Sequence, residues 1–209
     1  MLPHMHSLES ISDALLDTGY AIVPDFLPAA EVALLQQQAL ALQYSGGLQL
    51  AGTGQGVGRA VRSEVRGDEI HWIDEDTRGN DHLCYLRKLE SLRAEVNRTL
   101  ALGLFEFEGH FAVYPPGAFY RKHLDQFQTD SRRTLTCILY LNSSWHDDDG
   151  GQLRIHLDEE NPDSFLDVLP TGGTLVTFLS SRYWHEVLPA TRERISLTGW
   201  YKTRSEVPF

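Results

Sequence analysis

Apolar residues recur at two spacings along this chain, and the change from one to the other falls near Gly103. Leu8, Ile11 and Leu15 stand at the spacing of one helical face, and Gly19 supplies a stop. A short apolar run over 20–23 predicts a strand. Pro28 stands where a second helix can begin, with Val32, Leu35, Ala39 and Leu42 on one face. A third helix is expected from Asp81, a good N-cap, to Leu102. It is lined by Leu89, Leu92, Val96 and Leu100, and Gly103 ends it. The pattern then shortens into β-rich runs at 105–114, 119–124, 134–141, 152–157, 174–179, 186–188 and 194–201. Turn residues part several of them at Pro115-Pro116-Gly117, Asp149-Gly150-Gly151 and Thr171-Gly172-Gly173.

Many short strands in one compact unit predict a sandwich or jelly roll, with the N-terminal helices packed on an outer face. The chain reads as a single domain, 1–209, mainly β with N-terminal helices (α+β). Residues 1–103 form mostly helical support and 104–203 form the strand core. Residues 45–67 differ from both. Gly46, Gly47, Gly52, Gly54, Gly56, Gly58 and Gly67 lie there in a polar stretch without periodicity, which predicts a mobile lid loop. The Gly52-Thr53-Gly54-Gln55-Gly56-Val57-Gly58 run lacks the preceding strand and following helix that dinucleotide binding needs.

Charge narrows the partners. The net charge is -11, from 18 basic and 29 acidic residues, and no basic stripe offsets it. Nucleic acid is therefore not an expected partner. Two cysteines, Cys84 and Cys137, stand far apart with no CxxC spacing, which suits free thiols in a reducing compartment. The first residues lack a cationic region followed by an apolar run, and no stretch approaches the roughly 20 apolar residues of a membrane helix. The expectation is a cytoplasmic monomer with no membrane partner.

The candidate chemistry lies in a divided set of ligands. His123 and Asp125 occur in Tyr120-Arg121-Lys122-His123-Leu124-Asp125, and His185 follows in Tyr183-Trp184-His185. On a strand, residues i and i+2 share a face, so His123 and Asp125 can reach one metal while Leu124 turns into the core. Two imidazoles and a carboxylate leave open positions on the metal and suit a non-haem Fe(II) centre that activates dioxygen. Arg194, nine residues after His185, is placed to clamp the carboxylate of an organic co-substrate. Residues 194, 196, 198 and 200 share one face of the last strand, so Arg194 and Thr198 can meet in one cavity. A second His-x-Asp, His156-Leu157-Asp158, lies where Leu153, Ile155 and Leu157 alternate with polar residues. That is the pattern of a half-buried strand with a wet face. His146-Asp147-Asp148-Asp149 reads as a solvated turn. His4, His6, His71, His82 and His110 have no ligand-like spacing and read as surface or core.

Taken with Tyr114, Tyr120, Tyr140, Gly150-Gly151, Thr198 and Trp200, this order of residues resembles the 2-oxoglutarate- and Fe(II)-dependent dioxygenases. It looks most like the bacterial prolyl hydroxylases related to the hypoxia-inducible-factor prolyl hydroxylases. Val65-Arg66-Gly67-Asp68-Glu69-Ile70-His71-Trp72-Ile73 is a separate and more specific match. The resemblance implies a double-stranded β-helix (jelly roll, cupin-like). It implies His123, Asp125 and His185 as iron ligands, and Arg194 and Tyr140 on the distal carboxylate of 2-oxoglutarate with Thr198 nearby. Tyr114 and Trp200 would wall the pocket. Arg66, Asp68 and Trp72 would belong to the lid and the prolyl site. Fe(II), 2-oxoglutarate and O2 are the implied cofactors, with ascorbate as an accessory. The implied substrate is a prolyl residue in a protein, in bacterial members elongation factor Tu. The stretch 46–63 is richer in glycine than in animal relatives, so their substrate preference does not transfer. Two other readings stand beside this one. One is the same chemistry on a free amino acid or small metabolite. The other is a jelly-roll module that holds a metal or ligand without turnover.

Overall fold

The computed structural model describes residues 7–53, 60–73, 83–126 and 130–204. Helix α1 (Leu8–Asp17) starts on a Ser7 cap whose hydroxyl accepts from the Ser10 amide at 3.1 Å. Strand β1 (Tyr20–Val23) and helix α2 (Ala29–Tyr44) follow, the latter beginning just after Pro28. Helix α3 (Leu83–Leu100) ends two residues earlier than its apolar pattern predicts. Ala101 turns into the left-handed region (φ 54), and the Asn97 amide group grips both the amide and the carbonyl of Leu104, at 2.7 and 2.8 Å. The side chain therefore stops the helix before Gly103. The expected cap Asp81 lies outside the described residues, as do Gly54, Gly56, Gly58, His4, His6 and His82.

Between α2 and α3 the chain holds more structure than its glycines suggest. Strands β2 (Gln49–Leu50), β3 (Gly52–Thr53), β4 (Ala60–Val61) and β5 (Glu69–Trp72) occupy it. β3 and β4 form a small hairpin, and β2 pairs with β5. The described parts of 45–67 are thus tied to the body by backbone pairing, a long-range contact that local periodicity does not carry.

The core strands are β6 (Leu104–Tyr114), β7 (Tyr120–His123), β8 (Arg133–Tyr140), β9 (Leu153–His156), β10 (Phe165–Val168), β11 (Leu175–Leu179), β12 (His185–Val187) and β13 (Arg194–Thr203). Of these, β10 was not among the runs predicted from sequence. A seven-stranded sheet has the order β1-β11-β8-β13-β6-β5-β2, and a four-stranded sheet the order β10-β9-β12-β7. Both are antiparallel throughout.

The large sheet is covered on both faces. Phe111, Val113, Leu139 and Leu197 pack with Leu89, Leu92 and Val96 of α3, whereas Ala112, Tyr114, Ile138 and Tyr140 pack toward Leu153, Ile155 and Val187 of the small sheet. Alternate residues of one strand thus enter two different cores. That is why 135–141 is buried without a break instead of at alternate positions. Among the described residues, no helix is long and apolar enough to cross a membrane.

Candidate active site

The site lies between the two sheets, toward the end where β7 and β12 meet. His123 is the last residue of β7 and His185 the first of β12, and the register of that pair sets them opposite one another. Asp125 lies beyond the end of β7, so it does not reach the site by strand alternation. Leu124 is half-buried and lines the cavity, where the i, i+2 pattern had sent it into the core. The outcome is nevertheless one cluster. His123, Asp125 and His185 are the set of possible metal ligands found among the described residues, with ligand atoms all within 4.8 Å of one another. His123 Nε2 stands 3.6 Å from Asp125 Oδ1, and His185 Nε2 stands 3.5 Å from Oδ2.

Neighbouring groups preset the donor atoms. His123 Nδ1 lies 2.7 Å from the Arg121 carbonyl and His185 Nδ1 lies 3.0 Å from the Tyr183 carbonyl. A carbonyl only accepts, so each Nδ1 carries the proton and each Nε2 presents its lone pair. Thr136 donates its hydroxyl to Asp125 Oδ2 at 2.9 Å and holds that carboxylate. Burial by itself would raise the Asp125 carboxyl, but the adjoining imidazoles more than offset this and hold it well below the usual carboxylate range. Burial lowers His185 to about 4, so its ring is neutral near pH 7. Two imidazoles and one ionised carboxylate, gathered on one side of an open space, fit a divalent iron.

A cavity of about 270 Å³ runs from this cluster to Arg194. Arg194, Ser196, Thr198 and Trp200 all line it, as the alternation along β13 requires. Arg194 is 2% exposed. Its Nε donates to the Gly151 carbonyl at 2.9 Å, and its guanidinium carbon lies 5.1 Å from the ring centres of both Tyr114 and Tyr140. Gly151 (φ 70) is needed there, since a Cβ would stand 3.2 Å from Arg194 Cδ and 2.9 Å from Ala190 Cβ. Among the described residues no carboxylate forms an ion pair with Arg194. The Tyr140 hydroxyl is buried without a hydrogen-bond partner, and burial pushes it up to about 12, so it remains a donor. An unpaired buried cation beside an unpaired phenol is costly unless an anion completes it. The free carboxylate of a dicarboxylic acid has the right charge and acceptor geometry, so the residues present fit 2-oxoglutarate as well as iron.

At the cavity rim, Arg66 forks onto the buried Asp68, Nε to Oδ1 at 2.7 Å and a terminal nitrogen to Oδ2 at 2.5 Å. Trp72 remains 39% exposed and lines the opening. Two residues in this region, His110 and Arg133, were not singled out from sequence, and a third, Tyr120, was noted only as part of the residue series. His110, read as background, is buried on the cavity wall between Trp72 and Trp200, with ring centroids 4.8 and 5.5 Å away, and its Nδ1 has no partner. Arg133 sits 3.6 Å over the Trp200 ring and bonds Glu108 at 2.8 Å. Tyr120 stacks on His123. The signal for His110 was its phase with Ala112 and Tyr114 on β6; Arg133 had none. By contrast, His156 lies on β9 with Nε2 3.1 Å from Glu186, outside the ligand cluster.

With this geometry in place, relatives can be compared. Residues 109–202 match the 2OG-Fe(II) oxygenase superfamily. Prolyl hydroxylase EGLN3 of Mus musculus is 32% identical over 205 residues, covering 93% of this chain and 83% of that protein. A crystal structure of a Pseudomonas putida prolyl-4-hydroxylase superposes with a TM-score of 0.85 at 43% identity, covering 95% of this chain and 100% of that one. A Trichoplax adhaerens prolyl hydroxylase, solved with a hypoxia-inducible-factor oxygen degradation domain peptide, superposes with a TM-score of 0.82 at 31% identity, covering 93% and 88%. The chain belongs to the 2OG-Fe(II) oxygenase superfamily, with its double-stranded β-helix fold. Within it the chain is a prolyl hydroxylase of the group that contains these relatives, dependent on Fe(II), 2-oxoglutarate and O2.

Proposed function

We propose that this enzyme hydroxylates a prolyl residue of elongation factor Tu and converts 2-oxoglutarate to succinate and carbon dioxide as it does so. One oxygen atom of O2 enters the prolyl hydroxyl and the other enters succinate. The observation that carries the co-substrate is Arg194, a buried and unpaired guanidinium in the same cavity as the His-Asp-His cluster. His123, Asp125 and His185 hold Fe(II), which when bound supplies the activation of dioxygen. Arg194 and the Tyr140 hydroxyl bind the distal carboxylate of 2-oxoglutarate through charge-assisted hydrogen bonds. Thr198 lies beside it, and Tyr114 and Trp200 close the walls against water. Arg66 and Trp72, at the opening, meet the polypeptide substrate, and the buried Asp68 holds Arg66 in place.

A protein substrate is supported by the Trichoplax adhaerens relative, which was solved with a peptide. Elongation factor Tu is supported by the likeness to bacterial prolyl hydroxylases, of which the Pseudomonas putida structure is one. The buried free thiol Cys137 accords with work in the cytoplasm. Incubation of bacterial elongation factor Tu with the enzyme, Fe(II), 2-oxoglutarate and isotopically labelled O2 tests the whole reading by mass spectrometry. One labelled oxygen on a single proline, absent with Asp125→Ala, is the expected result. Succinate without label on the protein would discard the substrate and retain the chemistry.

A further inference from the structure

We infer that Tyr120 is a positioning residue that ties the metal ligand His123 to the segment carrying Arg66 and Asp68. The Tyr120 and His123 rings stack with centroids 3.6 Å apart and an interplanar angle of 18°. The Arg66 guanidinium carbon lies 4.2 Å from the Tyr120 ring centre. Two groups at those distances cannot share one face of a ring, so Tyr120 is held between the cation and the imidazole. Arg66 is itself fixed by its two-point bond to Asp68, whose side chain is fully buried.

The backbone reinforces this order. Arg66 bridges to Tyr120, the Gly67 amide donates to the Phe119 carbonyl at 3.0 Å, and the Arg121 amide donates to the Val65 carbonyl at 2.9 Å. Arg121 Nε also donates to the Glu64 carbonyl at 2.6 Å. Residues 65–67 thus follow a turn and are bonded to β7 through one isolated antiparallel bridge, and β7 ends in the ligand. His123 needs such a support. Its side chain is 17% exposed against 4% for His185, which Phe178 backs at 4.8 Å. Groups that orient a ligating imidazole from outside the metal shell set both affinity and geometry.

The consequence is a mechanical link between substrate recognition and the metal. A peptide that engages Arg66 alters the stack on His123, and by reciprocity metal loading tightens 65–67 against β7. This rests on the reading of His123, Asp125 and His185 as the iron site.

The test uses Mn(II) binding to the metal-free full-length enzyme by calorimetry, with no substrate present. Tyr120→Leu is expected to weaken Mn(II) about tenfold, Tyr120→Phe to match wild type, and Arg66→Met to fall between. The Co(II)-loaded protein should show a shifted visible absorption band in Tyr120→Leu and the wild-type band in Tyr120→Phe. Hydrogen exchange at the Gly67 and Arg121 amides should slow on adding Mn(II) to wild type. A folded Tyr120→Leu protein with wild-type Mn(II) affinity overturns the inference. If that variant does not fold, unchanged affinity in Arg66→Met overturns it. Failure of the wild-type chain to bind Mn(II) strikes the metal site itself, a different result from failure of the link.

Discussion

Two His-x-Asp segments flank the same strand. β7 ends in His123 and β9 ends in His156, and both strands pair with β12. They differ in the face each histidine takes. His123 meets His185 and Asp125 over the cavity, whereas His156 alternates with the buried Leu153 and Ile155 and meets Glu186 instead. Their aspartates diverge further. Asp125 is buried and held by Thr136, while Asp158 is exposed and its carboxylate accepts from the Glu160 amide at 2.9 Å. A dipeptide spacing therefore supplies ligand atoms, and only the surrounding fold makes them converge.

The largest effect that tests this contrast is Asp125→Ala. It removes the sole anion from the cluster, so loss of hydroxylation should exceed the about 100-fold that outer-shell partners cost, with metal binding lost too. Wild-type hydroxylation would remove Asp125 from the ligand set. Next is Arg194→Ala at the far end of the cavity. Hydrogen bonds to a charged group contribute about 1.5–3 kcal/mol each, so the 2-oxoglutarate requirement should rise about 10- to 100-fold. An unchanged requirement would place the carboxylate elsewhere.

The pH dependence of the metal-free enzyme sharpens the comparison at His185. Its folded pKa, about 4, lies below the unfolded value of 6.5, so the unfolded chain takes up the proton first. Stability is complete above that unfolded value and is lost as pH falls toward the folded one, by about 3 kcal/mol at the acid end. The depressed Asp125 carboxyl adds loss in the same direction at lower pH. Thermal melts from pH 7 down to 4.5 should show the decline, and His185→Gln should flatten it. Equal slopes in the two proteins would assign the decline to other groups.

The smallest effect is expected at His156→Ala. Its contact with Glu186 is partly exposed, so the cost should be about 1 kcal/mol or less, with iron binding and turnover retained. Loss of iron in that variant would reverse the assignment of the two segments.

Much of this site was legible from sequence because strand period and residue chemistry are local. The alternation along β13 placed Arg194, Thr198 and Trp200 on one face, and the polar alternation around His156 marked it as a wet strand. Asp125 converged on the site for a different reason than predicted, since it follows the strand end and is fixed by Thr136, eleven positions away. His110 and Arg133 escaped notice because their significance depends on partners distant in the chain.

The sequence by itself determined the helices before Gly103, most of the strands after it, the ligand types, and the cation for a dicarboxylate. These rest on periodicity and side-chain chemistry, which neighbouring residues suffice to specify. Only the tertiary structure decided which histidines meet, that Arg194 has no carboxylate partner among the described residues, and that the glycine-rich stretch pairs in part with the body. It also decided that residues 65–67 bond to β7 beside His123. Those outcomes depend on strand register and sheet order, and register is set by packing between segments far apart in the chain.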